Sequence, residues 1–346
     1  MLRLFVKIIC SLVFIQTIQA QEVHFSAIRQ IPYFFNPAYT GFIEQDVRAG
    51  LIYRNQSPTY SKAFNTLGYG ADFSVLKQKT NNNSIIGVGI NGYYDRSGSL
   101  NFTDNSFTAN FSYIQALDKR QRFYLSFGIQ AGYALRKIDI SKATFEDGFN
   151  SNDGFTPTAG SDLLPVLSRN NHVKLGAGFI AFFNISKNIN FHIGAAGYDL
   201  AVQNLSFNEN STVKQKPRII ANFGLEAKIK QVSILPYFLM QMKMPEKEIV
   251  FGSMVKYSSD NNQFNFNENN YSIGGGVGYR YLDALILSAQ AGYKNFTLNF
   301  SYDVNISKLS KATRTVGALE VSLIYQNSFI KSKKKGKALA CPKMSF

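Results

Sequence analysis

The sequence predicts an all-β protein: a transmembrane antiparallel β-barrel of the outer-membrane kind, about fourteen strands, behind a cleaved signal peptide. Three observations lead there. The first is strict alternation, cleanest over residues 284–307. Leu285, Leu287, Ala289, Ala291 and Tyr293 alternate with Ile286, Ser288, Gln290, Gly292 and Lys294. After Asn295, Phe296, Leu298, Phe300, Tyr302, Val304 and Ile306 alternate with Thr297, Asn299, Ser301, Asp303, Asn305 and Ser307. Successive side chains of a strand point to opposite faces, so each segment carries one apolar and one polar face. Lys294-Asn295 makes a two-residue turn, which pairs Tyr293 with Phe296 and puts both apolar stripes on one side. The second is length: each strand is about ten residues, enough to cross the hydrocarbon when tilted. The third is a leader for export, with no later run of the ~20 apolar residues a spanning helix needs.

Composition agrees. The 346 residues suffice for one large domain or two small ones, and only 17% are charged while 14% are aromatic, with no Trp. Many Gly and few charges suit a sheet protein with turns. The net charge of +15 is not arranged as a helix or an aromatic-interleaved patch, so nucleic acid is not the expected partner. Six lysines of that excess lie in residues 331–346. Cys10 falls in the leader and Cys341 in the tail, so the mature chain forms no internal disulfide. Cys341 is either a reactive or modifiable thiol or an inert tail residue.

In chain order, residues 1–20 form the signal peptide: Arg3 and Lys7, an apolar core, then Ala20 before the cut. Residues 21–46 hold Pro32, Pro37 and four aromatics around Asn36-Pro37, which argues against regular structure. Those aromatics need packing, so this segment is expected to fold against the barrel base or to plug the lumen. The barrel is expected over 47–328. Its strands are read at 47–54, 65–75, 85–94, 102–116, 123–136, 173–185, 190–201, 217–228, 232–242, 248–257, 271–281, 285–294, 296–306 and 316–327. An even count returns both ends to one side. With the first strand running outward, the long connections 55–64, 137–172, 202–216 and 307–315 lie outside, and 186–189, 229–231 and 294–295 are inner turns. Segments 258–270 and 282–284 break that rule. The tail is 329–346.

A soluble β-sandwich would also alternate, but with strands nearer five or six residues. Nor would it need Tyr93, Tyr94, Tyr133, Tyr198, Tyr281, Tyr293 and Tyr302 near strand ends, where they suit interfacial girdles.

Gly87-Val88-Gly89-Ile90-Asn91-Gly92 matches the dinucleotide fingerprint by letter, yet no helix follows to meet a pyrophosphate. Inward-facing glycines are a packing feature instead, and Gly274-Gly275-Gly276 reads the same way. His24, His172 and His192 lie at no metal-ligand spacing, and no nucleophile elbow appears. No catalytic, cofactor-binding or metal residue is expected, and no enzyme. The basic run Lys331, Lys333, Lys334, Lys335 and Lys337 suits an acidic partner or anionic head groups, or a solvated tail.

At Asn36, Pro37, Ala38, Tyr39, Thr40 and Gly41, just after the leader, the chain resembles the PorP/SprF family of type IX secretion and gliding-motility proteins of Bacteroidetes. The likeness continues at Tyr53-Arg54-Asn55-Gln56, at Gly87-Val88-Gly89 with Asp95, and in a basic tail with Cys341-Pro342 and Phe346. It departs at Ser57, where relatives often carry Trp, and at Met344-Ser345. The resemblance implies a non-enzymatic outer-membrane barrel that helps secrete or surface-anchor an adhesin or tagged protein. Implied partners are outer-membrane lipid, a periplasmic ring lipoprotein, a peptidoglycan-binding protein and the exported adhesin. The motif 33–41 and the basic tail are the expected periplasmic contacts, and loop 137–172 the surface contact. A diffusion or uptake channel is the rival function, and a secreted soluble β-protein a weaker third.

Overall fold

The computed structural model describes residues 24–56, 64–75, 84–98, 100–118, 120–140, 149–150, 154–155, 168–208, 210–259, 270–307 and 315–329. The strands are β1 (Val47–Gln56), β2 (Phe64–Val75), β3 (Ser84–Ser97), β4 (Phe102–Ala116), β5 (Phe123–Lys137), β6 (Phe149–Asn150), β7 (Gly154–Phe155) and β8 (Arg169–Asn184). They continue as β9 (Ile189–Tyr198), β10 (Arg218–Ile229), β11 (Val232–Lys243), β12 (Glu246–Ser258), β13 (Tyr271–Arg280), β14 (Ala284–Tyr293), β15 (Phe296–Asn305) and β16 (Val316–Asn327). Fourteen of them close a barrel in chain order, β1 pairing with β16, while β6 and β7 pair only with each other. Every barrel pairing is antiparallel. Each of the fourteen expected strands has its counterpart here, with ends shifted by a few residues. Among the described residues, no helix is long and apolar enough to cross a membrane.

The wall is inside-out relative to a soluble protein. Leu298 and Phe300 are 50% and 47% exposed, while Asn299 and Ser301 between them are 2% and 1% exposed. Tyr293 pairs with Phe296 as the turn requires. An apolar belt outside and a polar lining within are what lipid outside and a polar lumen demand. That closed barrel is an outer-membrane architecture.

The fourteen strands put connection 259–270 at the end where the barrel begins and finishes, and the tight turns 244–245 and 281–283 at the other. Strand β12 pairs with β11 over residues 246–257 and with β13 over residues 250–258. These connections simply depart from the loop-length habit. Leu282 adopts φ 60° to make the tight one.

Two girdle assignments fail. Tyr94, Tyr133, Tyr281 and Tyr293 are exposed on the outer face, but Tyr198 is buried and Tyr93 sends its hydroxyl to Asp104. Both have lumen parity, because a one-residue step along a strand reverses the face.

Candidate functional site: the plugged lumen

Residues 24–46 lie inside the barrel. Two prolines punctuate the segment, each at the start of a short 3-10 helix: η1 (Pro32–Phe34) and η2 (Pro37–Tyr39). Proline suits that position, since its missing N–H would have no partner there. Asn36 caps η2, its Oδ1 accepting from the Ala38 N–H at 3.0 Å. A segment this irregular leaves many backbone groups unpaired within itself, so the wall must supply partners.

It does so at Asn36, Ala38, Tyr39, Thr40 and Gly41. Asn36 Nδ2 donates to the carbonyls of Phe179 (3.0 Å) and Ala195 (3.3 Å) and to Asn222 Oδ1 (3.2 Å). Asn222 Nδ2 donates to the Tyr39 hydroxyl at 2.6 Å. Ser126 and Ser112 hydroxyls donate to the carbonyls of Ala38 and Thr40. The Gly41 N–H donates to Asp72 Oδ2 at 2.8 Å, and Arg48 bridges Asp72 to the Tyr39 carbonyl. The Arg48 guanidinium also sits 5.2 Å from the centre of the Tyr33 ring.

Close approach of the plug explains two glycines of the wall. A Cβ at Gly87 would collide with the Thr40 carbonyl, and one at Gly128 with the backbone of Pro37 and Ala38. The first glycine of the apparent nucleotide fingerprint is therefore a seat for the plug. Above and below, apolar clusters finish the fit. Phe42 clusters with Ile85, Ile114, Tyr124 and Phe182, and Ile31, Tyr33 and Phe35 cluster with Ile52, Ile220 and Ile324.

The other end of the segment is held by charge. Glu320 accepts from the N–H groups of Ser26 (2.7 Å) and Ala27 (2.8 Å), and Asp303 accepts from the Ser26 hydroxyl at 2.8 Å. Arg54 pairs with both carboxylates, and Arg280 pairs with Asp303, Glu248 and Asp283. Arg54, Arg280, Asp303 and Glu320 are all buried. Pockets beside the plug include two of about 570 and 620 Å³, each partly open to solvent. Among the described residues, no group of three His, Cys, Asp or Glu is placed to hold a metal ion.

The structure therefore brings Asn36, Pro37, Ala38, Tyr39, Thr40 and Gly41 together, but as the heart of the plug. All six are buried, Asn36 and Thr40 at 0% exposure. The expectation of a periplasmic contact surface at these residues meets a buried segment whose Asn36 and Tyr39 side chains and Ala38, Thr40 and Gly41 backbone groups bond to the wall. Of the expected segment 21–46, residues 24–46 lie against the lumen wall. Lys331, Lys333, Lys334, Lys335 and Lys337, Cys341, the signal peptide and most of loop 137–172 lie outside the described residues. Sequence reading missed Arg48, Asp72, Arg280, Asp303 and Glu320. Their signal was charge at lumen-parity positions of strands in a chain poor in charge.

A family model described as "Type IX secretion system membrane protein PorP/SprF" matches residues 17–325. No curated protein matches the chain. Among solved structures, the chain is similar to the CymD monoaromatic hydrocarbon channel, with 12% identity and TM-score 0.47 over 87% of this chain and 93% of that one. It is similar to a Pseudomonas aeruginosa FadL homologue with 10% identity and TM-score 0.46, over 86% and 94%. The KdgM porin follows with 8% identity and TM-score 0.36, over 81% and 98%. These values are low, and none bears on function.

Proposed function

The chain belongs to the PorP/SprF family of type IX secretion system membrane proteins, and from that membership we propose a non-enzymatic outer-membrane scaffold that helps export or surface-anchor a cognate adhesin or tagged protein. One observation carries this reading beyond family membership: the lumen is occupied by residues 24–46, tied to the wall along their length. A barrel so filled suits a structural partner better than a diffusion pore. Its work is then assigned to the connection that follows β5, residues 137–172, and to the basic run that follows β16. The tail lysines are the contact offered to an acidic face of a periplasmic ring lipoprotein or peptidoglycan-binding protein, and the loop is the contact for the exported protein.

Deleting the gene and measuring surface adhesin, secreted tagged proteins and gliding tests the proposal. Loss of at least one of the three is expected, with the others as internal controls. Unchanged export, anchoring and gliding would remove it. Pull-down from detergent extracts, with and without the tail lysines replaced by Gln, separates the two contact surfaces. The charge-neutral tail is expected to lose the periplasmic partners and keep the exported one.

A further inference from the structure

The pocket of about 620 Å³, a volume that counts its open part, lies between the plug and the wall formed by β3, β4, β5, β8 and β9. Its floor is polar and buried: Asn91, Ser106 and Gln130 are 4%, 3% and 8% exposed. Gln130 Nε2 donates to the Thr108 hydroxyl at 2.6 Å, and that hydroxyl donates to the Asn91 carbonyl at 3.0 Å. Asn110 Nδ2 donates to Asn91 Oδ1. Among the described residues, these bonds leave Asn91 Nδ2, Gln130 Oε1 and the Ser106 hydroxyl with no hydrogen-bond partner. Buried polar groups that line a pocket with such capacity unspent call for a partner inside it.

Rings and charges complete the lining. Phe34 of the plug and Tyr93 of the wall, both half-buried, belong to it. Asp199 pairs with Lys174 at 3.0 Å and with Lys243 at 3.1 Å, and the Arg218 guanidinium sits 4.8 Å from the centre of the Tyr198 ring. Asp199 follows the last residue of β9 and Arg218 begins β10, so both stand at the outer end of the barrel. Toward the inner end the plug closes the pocket. Gly128 faces the same side as Gln130, two residues further in along β5, and the backbone of Pro37 and Ala38 rests on it.

We propose that this pocket binds one neutral pyranose ring, free or as a unit of a glycan, that reaches the barrel from its outer side. The lining selects this chemistry. An anion would meet Gln130 Oε1 and Asp199, and a cation would meet Lys174 and Arg218. A sugar hydroxyl both donates and accepts, so it serves Asn91 Nδ2, the Ser106 hydroxyl and Gln130 Oε1 alike. The C–H face of the ring packs on an aromatic side chain, which Phe34 and Tyr93 offer. The site does not depend on a role in export.

Full-length protein in a detergent without a sugar headgroup is titrated with methyl glycosides of glucose, galactose, mannose and N-acetylglucosamine and with tetrasaccharides built from them. Benzoate and choline are the charged comparators, and saturation-transfer NMR reads contact between protein and ligand protons. At least one neutral sugar is expected to bind with a dissociation constant below about 10 mM. Tighter binding of its tetrasaccharide marks a unit of a longer glycan, and equal binding a free sugar. Ser106→Ala and Gln130→Met are each expected to weaken that affinity at least threefold, the worth of one neutral hydrogen bond. Ser322→Ala, at a buried position of β16 away from the pocket, is expected to leave it within twofold. Heat-modified gel migration confirms each variant as a folded barrel, and Ser106→Ala, which removes one oxygen, decides where Gln130→Met does not fold. No neutral sugar bound below that limit, binding of the charged comparators alone, or unchanged affinity in either folded variant overturns the proposal.

Discussion

Arg54 shows how the lumen is held at the level of single residues. It is 2% exposed, donates to the Ser26 hydroxyl at 2.9 Å, reaches Asp303 at 3.2 Å and pairs with Glu320. Arg280 lies 3.1 Å from the same Asp303. Two guanidiniums thus serve carboxylates that also bind the plug, Asp303 at the Ser26 hydroxyl and Glu320 at the N–H groups of Ser26 and Ala27. Removing one cation leaves buried carboxylates short of a counter-charge, which costs about 3–5 kcal/mol where it has been measured. Arg54→Met is therefore expected to lower the unfolding midpoint in detergent and to expose residues near Ser26 to protease. Arg54→Lys keeps the charge but not the fork that reaches two acids at once, so a smaller loss is expected. Equal protease resistance in wild type and Arg54→Met would show that the plug is held from its other end alone.

Among elements, the inner turn between β4 and β5 is closed by Asp118, whose carboxylate accepts from the N–H groups of Arg122 (2.6 Å) and Phe123 (2.9 Å). The Phe123 N–H first, and then that of Arg122, hold its carboxyl below the usual range. A depressed carboxylate stabilises above its unfolded pKa, about 3.9, and the benefit fades as pH falls through the lower folded value. Amide protection at Arg122 and Phe123 is expected to hold at pH 5–7 and to drop at lower pH. In Asp118→Asn it should be lower at pH 5–7 and lack that drop. The strands themselves were legible because lipid on one side and a polar lumen on the other allow few exceptions to alternation. Hence β16 (Val316–Asn327) matches its expected bounds of 316–327. The inward turn of Tyr93 and Tyr198 follows from the same parity, which prevails over the preference of tyrosine rings for strand ends. The plug's seat was not legible. Glu320 receives the Ser26 N–H across 294 positions, and no local pattern encodes that meeting. The seat is testable as an element. Gly128→Val puts a branched side chain into the backbone of Pro37 and Ala38, where the wall cannot yield, so the plug is expected to leave while the strands stay paired. Unchanged near-ultraviolet dichroism and protease resistance of the plug would refute this.

For the whole molecule, a fourteen-strand circumference lies between small barrels filled by their own side chains and sixteen-strand porins with an aqueous channel. Here neither solution applies, because wall side chains alone do not fill the lumen and a covalently attached segment does. The rival roles of scaffold and pore thus differ in whether that segment stays. The full-length barrel in a planar bilayer is expected to be electrically silent. Deleting residues 24–46, with the leader rejoined to Val47, removes the clusters around Tyr33 and Phe42 and leaves Asn36's partners Phe179, Ala195 and Asn222 facing water. The closed ladder from β1 to β16 does not depend on the plug for its backbone pairs. The deleted form is therefore expected to insert as a barrel and to conduct steadily. If secretion then fails while the barrel conducts, the plug serves export and not merely closure. A full-length protein with the same steady conductance would instead favour a pore, since the tied segment would not be blocking the path it occupies.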